Sequence, residues 1–295
     1  MIGTAEDRVM GDGTRALVLG GGGITGIAWE IGLLAGLAEK GVDLTDADLV
    51  VGTSAGSVVG ALVASGADMQ ERYEAQLRDA RGEIASRIGP RVMARLGLAV
   101  VGGPREPRAV RARIGKLALA AETVPESERL AVMRQRLTSH EWPERDLLVT
   151  AVDAVTGEFR AFDRTCGVSL VEAVAASCAV PGVWPPVTAL GTRWIDGGMR
   201  SMANADLAGG YDSVVVLAPA VKGMGPIAGV EAQVEALRAR SRVCVVSPGE
   251  IAVEAIGKNV LDPARRAPAA RAGRAQASAV LDEVRAVWAG AGTPV

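Results

Sequence analysis

Residues 16–26 read ALVLGGGGITG, an apolar run followed by four glycines and the start of a second apolar segment. The run Ala16–Leu19 predicts a buried strand. The segment Gly26–Lys40 has helical periodicity and is followed by Gly41, a residue typical of helix ends. A strand that enters a helix through a glycine turn is the first half of a βαβ unit, so this stretch favours an α/β fold.

The same strand, turn and helix pattern occurs a second time at residues 49–63. Leu49–Val51 predicts a strand, the sequence GTSAG at 52–56 predicts a tight turn, and Val58–Val63 continues with helical spacing. Successive units of this kind usually pair their strands in parallel. Both turns are therefore expected at the carboxyl ends of strands, where open α/β sheets bind their ligands.

Residues 68–139 depart from this pattern and predict a helical insertion, after which the sheet resumes. The later predicted strands are Leu147–Val152, Phe159–Phe162, Arg193–Ile195, Ser213–Leu217 and Val243–Val246. The predicted fold class is α/β, in three layers (α/β/α) with a central, mostly parallel sheet. The helical insertion falls between the second strand and the later strands.

Three parts are predicted along the chain. Residues 1–14 form a flexible leader whose acidic residues and lack of an apolar segment argue against a secretory signal. Residues 15–262 form the α/β domain, and residues 263–295 form a helical tail packed on it. The apolar face of the tail is predicted to include Val280, Val284, Val287 and Trp288.

The composition argues against several classes of function. A net charge of −2 provides no basic field for nucleic acid. The three cysteines, Cys166, Cys178 and Cys244, are odd in number and lack metal-ligand spacing, which favours a reducing, cytoplasmic compartment. We expect neither a metal nor a cofactor. No apolar run approaches the roughly 20 residues needed to span a bilayer, so membrane contact is expected to be peripheral.

The glycine-rich turn at Gly21–Gly26 matches G-x-G-x-x-G. A dinucleotide site would also need an acidic residue at the end of the next strand, and Gly52–Ser54 occupies that place, which makes nucleotide binding the weaker alternative. Glycines also let consecutive backbone N–H groups converge near a helix N-terminus and form an anion pocket. Beside a nucleophile, such a pocket is an oxyanion hole.

Ser54 lies between glycines at a strand-to-helix turn, the position of a nucleophilic serine. Alone, the motif fits tight strand–helix packing equally well, whereas beside the glycine loop it favours a nucleophile. The single histidine, His140, lies in a polar loop where a surface role is usual. Asp196 ends a short strand, and a buried carboxylate of raised basicity can accept a serine proton. Asp153 also ends a strand, but the following Thr156-Gly157 favours a turn.

These stretches together resemble the patatin-like phospholipases. The matching elements are the glycine loop 21–26, the serine turn 52–56, the sequence DGG at 196–198 and the sequence ASCAVPGVWPP at 176–186. Their order and spacing agree with the family over about Arg15–Asp206. The resemblance implies a serine lipid acyl hydrolase whose catalytic residues are a dyad of Ser54 and Asp196.

The resemblance also assigns the supporting residues. It implies that the oxyanion is bound by backbone N–H groups of the glycine loop, namely Gly21, Gly22, Gly23 and Ile24. The remaining glycines that the resemblance places in the family's motifs are Gly26, Gly52, Gly56, Gly197 and Gly198. One departure concerns Thr25, because many members of the family carry Arg or Lys there. The cation beside the oxyanion loop is therefore missing from this sequence.

The function predicted from the sequence is hydrolysis of carboxylic esters, with a lipid or small ester as substrate. The first alternative is a non-catalytic lipid-binding or regulatory protein that keeps the same scaffold. The second alternative is a dinucleotide-binding protein that uses the glycine loop. The sequence predicts no oligomeric state.

Overall fold

The computed structural model describes residues 13–78, 86–223, 225 and 227–289. Residues 1–12 of the predicted leader and residues 290–295 of the predicted tail lie outside this range. The first described residues are held in place, because the N–H groups of Gly13 and Thr14 donate to Asp212 Oδ2 at 3.0 and 2.9 Å. The division into leader, domain and tail stays a prediction.

Within the described residues, the centre of the molecule is an eight-stranded sheet. In chain order the strands are β1 (Arg15–Leu19), β2 (Leu49–Gly52), β3 (Asp146–Asp153), β4 (Phe159–Phe162), β5 (Val187–Ala189), β6 (Thr192–Asp196), β7 (Ser213–Leu217) and β8 (Arg242–Val246). Their order across the sheet is β5-β6-β3-β2-β1-β7-β8, with β4 paired to β3. The strands from β3 to β8 in this order are parallel, while β4, β5 and β6 pair antiparallel. The prediction of a mostly parallel sheet is confirmed.

Helices cover both faces of the sheet. They are α1 (Gly23–Glu39), α2 (Ala55–Ala64), α3 (Met69–Leu77), α4 (Pro90–Val101), α5 (Pro107–Leu119), α6 (Glu126–Arg136), α7 (Leu170–Ser177), α8 (Val230–Arg238), α9 (Glu250–Ile256) and α10 (Arg266–Trp288). Side chains alternate across a strand, so Leu17 and Leu19 enter a core with α1, α2, α7 and α10, whereas Ala16 and Val18 enter a core with α8. The three-layer α/β/α architecture is therefore confirmed.

The predicted helical insertion consists of α3 to α6. Within it, α4 and α5 pack over the end of the sheet formed by β3 and β6, where Leu96 and Ile114 share a buried cluster with Val152 and Ile195. The insertion thus lies directly over the strand that ends at Asp196. None of the helices in the described part of the chain combines the length and apolar character that crossing a bilayer requires.

The backbone of the carboxyl-terminal helix α10 lies unusually close to the backbone of α1. A Cβ atom added to Gly32 of α1 would lie 2.1 Å from Ala270 O, and one added to Gly273 of α10 would lie 2.2 Å from Trp29 O. The two backbones approach so closely only because glycine occupies these positions. This contact fixes α1, and with it the glycine loop at its start.

One strand is absent from the sequence-based prediction. The strand β5 has three residues, pairs only with β6, and follows Pro185-Pro186. So short an edge strand has no alternating pattern of its own, because its position depends on pairing with the neighbouring strand.

Candidate active site

Ser54 occupies a sharp turn between β2 and α2. Its backbone has φ 52° and ψ −116°, a conformation that residues other than glycine rarely adopt. The turn requires its flanking glycines, since a Cβ atom on Gly56 would lie 2.1 Å from Leu19 O and one on Gly52 would lie 2.5 Å from Ser57 Cα. The pattern of small residues at 52–56 thus has a specific cause, which is the close approach of this turn to β1.

The backbone of Ser54 is held by three side chains. Ser54 N donates to Ser177 Oγ at 2.9 Å, while Ser54 O accepts from Ser57 Oγ at 2.7 Å and from Cys178 Sγ at 3.2 Å. Ser177 and Cys178 lie at the end of α7, within the sequence 176–186 that resembled a family motif. The role of that motif is visible here, because it stabilises an otherwise strained turn.

Asp196 lies at the end of β6 and is buried, with only 3% of the residue exposed to solvent. Its Oδ1 accepts a hydrogen bond from Gly198 N at 2.8 Å, and the side chain of Ser54 lies close enough to affect its pKa. Burial raises the pKa of Asp196 from 3.8 to about 7. The hydrogen bond from Gly198, the Ser54 side chain and the charge of Arg129 lower this pKa, but they do not offset the loss of water.

A buried polar cluster lies behind Ser54 and Asp196. Asn204 adopts a left-handed backbone, and its Nδ2 donates to Thr53 Oγ1 at 3.0 Å and to Gly197 O at 3.3 Å. Thr150 Oγ1 donates to Thr53 Oγ1 at 2.9 Å. The cluster joins the residue before Ser54 to the residue after Asp196. Sequence reasoning missed these side chains, and a lone asparagine between strands offered only a weak turn signal.

The glycine loop lies beside the Ser54 turn. Thr53 N donates to Leu19 O and Gly56 N donates to Gly20 O, both at 3.0 Å, so the two turns are hydrogen bonded to each other. No acidic side chain follows β2, where a dinucleotide ribose would need one, because Thr53 and Ser54 occupy that place. The loop therefore lacks the acidic neighbour that a dinucleotide site requires.

The backbone donors of the loop fall into two groups. Gly21 N donates to Met202 O at 2.7 Å and Thr25 N donates to Val260 O at 3.1 Å. Gly21 is thus not a free donor, which corrects the expectation that it binds the oxyanion. Among the described residues, the N–H groups of Gly22, Gly23 and Ile24 have no hydrogen-bond acceptor. They lie at the start of α1, where the helix dipole adds partial positive charge.

Gly22 and Gly23 are required by their surroundings. A Cβ atom on Gly22 would lie 2.4 Å from Pro219 Cβ. Gly23 has φ +63°, and a Cβ atom there would lie 2.6 Å from Val260 O. The loop can therefore present its N–H groups only in the absence of side chains.

The comparisons with known proteins agree with these motifs. The profile described as patatin-like phospholipase matches residues 17–208, more than half of the chain. The chain belongs to the patatin-like phospholipase family. No protein of curated function matches its sequence.

Solved structures that align with this chain include two bacterial proteins. VipD from Legionella pneumophila is 15% identical with a TM-score of 0.45, and the match covers 92% of this chain and 67% of VipD. The type III effector protein ExoU is 19% identical with a TM-score of 0.45, and the match covers 92% of this chain and 53% of ExoU. In the ExoU–SpcU complex from the type III secretion system of Pseudomonas aeruginosa, the matched chain is 19% identical with a TM-score of 0.44, and the match covers 92% and 52%. This patatin-like chain spans little more than half of the ExoU chain.

A cavity lies over Ser54 in this patatin-like chain. Its lining includes Ile24, Ile27 and Trp184 together with Arg129 and Arg136 of α6. The side chain of Arg129 is buried, with its guanidinium carbon 4.1 Å from the centroid of the Trp184 ring. Thr25 is also buried, and its hydroxyl donates to Val260 O at 3.3 Å. The insertion thus brings cationic side chains to a site where the glycine loop has none.

A second cavity of about 180 Å³ shares Ile24, Ile27 and Arg136 with the first. It continues past Ile31, Val58 and Leu62, between α1 and α2. Its lining is mixed, because Arg72, Gln76 and Arg266 also contribute to it.

The remaining sequence candidates lie elsewhere or have structural roles. His140 is exposed, its Nε2 lies 2.9 Å from Arg134 O, and it does not line the cavity over Ser54. Asp153 Oδ1 accepts from the N–H groups of Val155 and Thr156, as expected for a turn. Within the described residues, no group of three or more His, Cys, Asp or Glu side chains is arranged to hold a metal ion.

Proposed function

We propose that this protein is a serine acyl hydrolase that cleaves carboxylic ester bonds of lipids through a dyad of Ser54 and Asp196. The observation that carries the proposal is the position of Ser54, on a strained turn next to the buried carboxyl group of Asp196 and beside backbone N–H groups that have no acceptor among the described residues. Membership of a phospholipase family supports a lipid substrate.

Asp196 is suited to act as the base. A pKa of about 7 makes the carboxylate far more basic than an exposed aspartate, while leaving it largely ionised in mildly alkaline solution. Ser54 Oγ attacks the ester carbonyl as its proton passes to Asp196, and a tetrahedral intermediate forms. The proton then passes to the departing alcohol oxygen, which leaves an acyl group on Ser54. Water, deprotonated by Asp196, attacks the acyl carbonyl and releases the fatty acid.

The negative oxygen of the intermediate is stabilised by the start of α1. The N–H groups of Gly22, Gly23 and Ile24 supply the donors, since the remaining N–H groups of the loop are engaged. Each such donor contributes roughly 3 kcal/mol to acyl transfer. The apolar side of the neighbouring cavity, formed by Ile24, Ile27 and Ile31, offers contact surface for part of an acyl chain.

The decisive experiment compares three variants on a short-chain aryl ester and on phospholipid. We expect Ser54→Ala and Asp196→Asn each to lower kcat/KM by about a thousandfold or more. His140→Ala is the matched control, and its activity should equal that of the wild type. Loss of activity in His140→Ala would replace the dyad with a triad.

A fluorophosphonate probe separates catalysis from binding alone. We expect the probe to label the wild type at Ser54 and to leave Ser54→Ala unlabelled. If the folded wild type stays unlabelled and inactive, the protein is a non-catalytic lipid-binding member of the family. If it is also stabilised against heat by NAD, the nucleotide-binding alternative replaces this proposal.

A further inference from the structure

The helix α4 presents an apolar face to solvent. Leu98 and Val101 are 67% and 68% exposed, although α4 buries Leu96 and Ala99 on its opposite side. Isolated exposed apolar residues are common, but two neighbours on one face of a short helix form a patch. Half of this helix is therefore anchored in the protein, and the other half remains uncovered.

The outward face of α4 contains no charged residue. At 100° per residue, Val101 and Leu98 share this face with Ala94, Gly97 and Pro90. The arginines Arg91 and Arg95 follow along one edge of it. An apolar face with cationic residues at its edge is typical of helices that lie in a membrane interface.

The charge around α4 is strongly positive. Residues 86–116 contain one acidic residue, Glu106, and eight cationic residues, which are Arg87, Arg91, Arg95, Arg105, Arg108, Arg111, Arg113 and Lys116. Arg91, Arg95 and Arg105 are exposed and form no ion pair within the described residues. The rest of the chain must be acidic to give its net charge of −2, so this region is a local cationic surface. Such a surface complements the phosphates of an anionic bilayer.

The side of α4 opposite the apolar face packs toward the proposed active site. Val92 of α4 packs against Gly182, where an added Cβ atom would lie 3.1 Å from Val92 Cγ1. A cavity of about 400 Å³ beside this contact is lined by residues of α4 and α5 and by Pro181-Gly182. The neighbouring residues Val180 and Trp184 line the cavity over Ser54. The inner side of α4 therefore rests on the segment that borders Ser54, and its apolar face points away from that segment.

We propose that α4 is an interfacial helix that inserts Leu98 and Val101 into the surface of an anionic bilayer and so holds the protein at its lipid substrate. The inference rests on the proposed lipid hydrolase function. The arginines at the edge of the face contact lipid phosphates, and the apolar side chains enter the acyl-chain boundary. The helix lies on the bilayer and does not cross it.

Vesicle flotation tests this helix directly. We expect wild-type protein to float with vesicles of mixed phosphatidylcholine and phosphatidylglycerol, and more weakly with pure phosphatidylcholine. The double variant Leu98→Asp/Val101→Asp should bind the mixed vesicles about tenfold more weakly or worse, because two apolar side chains no longer leave water. Arg91→Gln/Arg95→Gln should lose the preference for phosphatidylglycerol and much of the salt dependence.

Two controls separate this inference from the proposed function. Ile251→Asp alters an apolar residue of α9 that is 79% exposed, and it should bind vesicles as the wild type does. Ser54→Ala should also bind normally, because docking does not need turnover. Leu98→Asp/Val101→Asp should hydrolyse a soluble aryl ester at the wild-type rate but lose activity on vesicles.

Three results would overturn the inference. The first is wild-type protein that floats with neither vesicle, and the second is a Leu98→Asp/Val101→Asp variant that floats as well as the wild type. The third is a wild-type dimer in light scattering that this variant converts to a monomer, since the face would then be covered by a second copy of the chain. Failure of the aryl-ester assay with vesicle binding intact would instead count against the hydrolase alone.

Discussion

Ser54 has a strained backbone that the surrounding structure maintains. A non-glycine residue with φ 52° costs about 1–3 kcal/mol, and it persists here because Ser177, Ser57 and Cys178 hydrogen bond to its backbone. This turn places Ser54 in the lining of the cavity. The glycines around it are explained by close contacts, which sequence reasoning expected only in general terms.

The pH dependence of activity follows from the buried carboxyl group. In the proposed dyad only ionised Asp196 accepts the Ser54 proton, so we expect kcat/KM to rise about tenfold per pH unit in acid and to level off above about pH 7. Rates on a soluble aryl ester at constant ionic strength measure this profile. His140→Ala is the control for the single histidine of the sequence and should keep the same profile. If kcat/KM instead levels off near pH 4, burial does not raise the pKa of Asp196.

Arg129 tunes that profile. Its positive charge lowers the pKa of Asp196, so removal of the charge in Arg129→Gln should move the acid limb to higher pH. The conservative variant Arg129→Lys keeps a cation in the cavity and should leave the limb near its wild-type position. If both variants shift the limb equally, packing against Trp184 rather than charge sets the pKa.

The pair of helices α1 and α10 depends on glycine at its contact points. We expect Gly32→Ala to lower the free energy of unfolding by about 1–3 kcal/mol, since the new methyl group would meet Ala270 O at 2.1 Å. Thermal unfolding followed by circular dichroism measures the effect. Gly97→Ala in α4 is the control, because nothing lies within 4 Å of its added Cβ, and alanine should stabilise this helix by up to about 1 kcal/mol. A lower melting temperature for both variants would argue against a specific contact.

The sequence predicted α10 from its large apolar residues, of which Val284 and Trp288 are buried. Its closest approaches to α1 involve small residues, namely Ala270, Gly273 and Ala277. Small residues carry little hydrophobic periodicity, so the tightness of this contact could not be predicted. The same limit applies to α4, whose apolar residues on both sides gave no indication of which side is exposed.

At the scale of the whole molecule, buried acids make stability depend on pH. Glu30 lies in α1 with no exposed surface, and burial raises its pKa well above 4.5. The Gly20 N–H lowers the pKa of Glu30 only in part, because this N–H group already donates to Leu217 O at 2.9 Å. Such an acid binds a proton on folding. Its contribution to stability is therefore fully present below pH 4.5 and is lost as the pH rises through the folded-state pKa.

We expect the free energy of unfolding to fall as the pH rises above about 4, since Asp196 acts in the same direction up to about pH 7. Glu30→Gln should be more stable than the wild type in neutral solution, and the difference should shrink toward pH 4. Urea unfolding over this pH range tests the prediction. If the free energy of unfolding changes equally with pH in the wild type and in Glu30→Gln, Glu30 is solvated in the folded state.

The amino-acid sequence alone determined the repeated strand, turn and helix units, the two glycine-dependent turns and the helical insertion. These features follow from local hydrophobic periodicity and from the backbone freedom of glycine, which neighbouring residues reveal. Only the tertiary structure decided which N–H groups of the glycine loop remain available, which side chains hold Ser54, and which face of α4 meets solvent. Ser54 and Asp196 are brought together by β3, which pairs in parallel with β2 and antiparallel with β6. Strand pairing joins segments that are distant along the chain, and no local pattern encodes it.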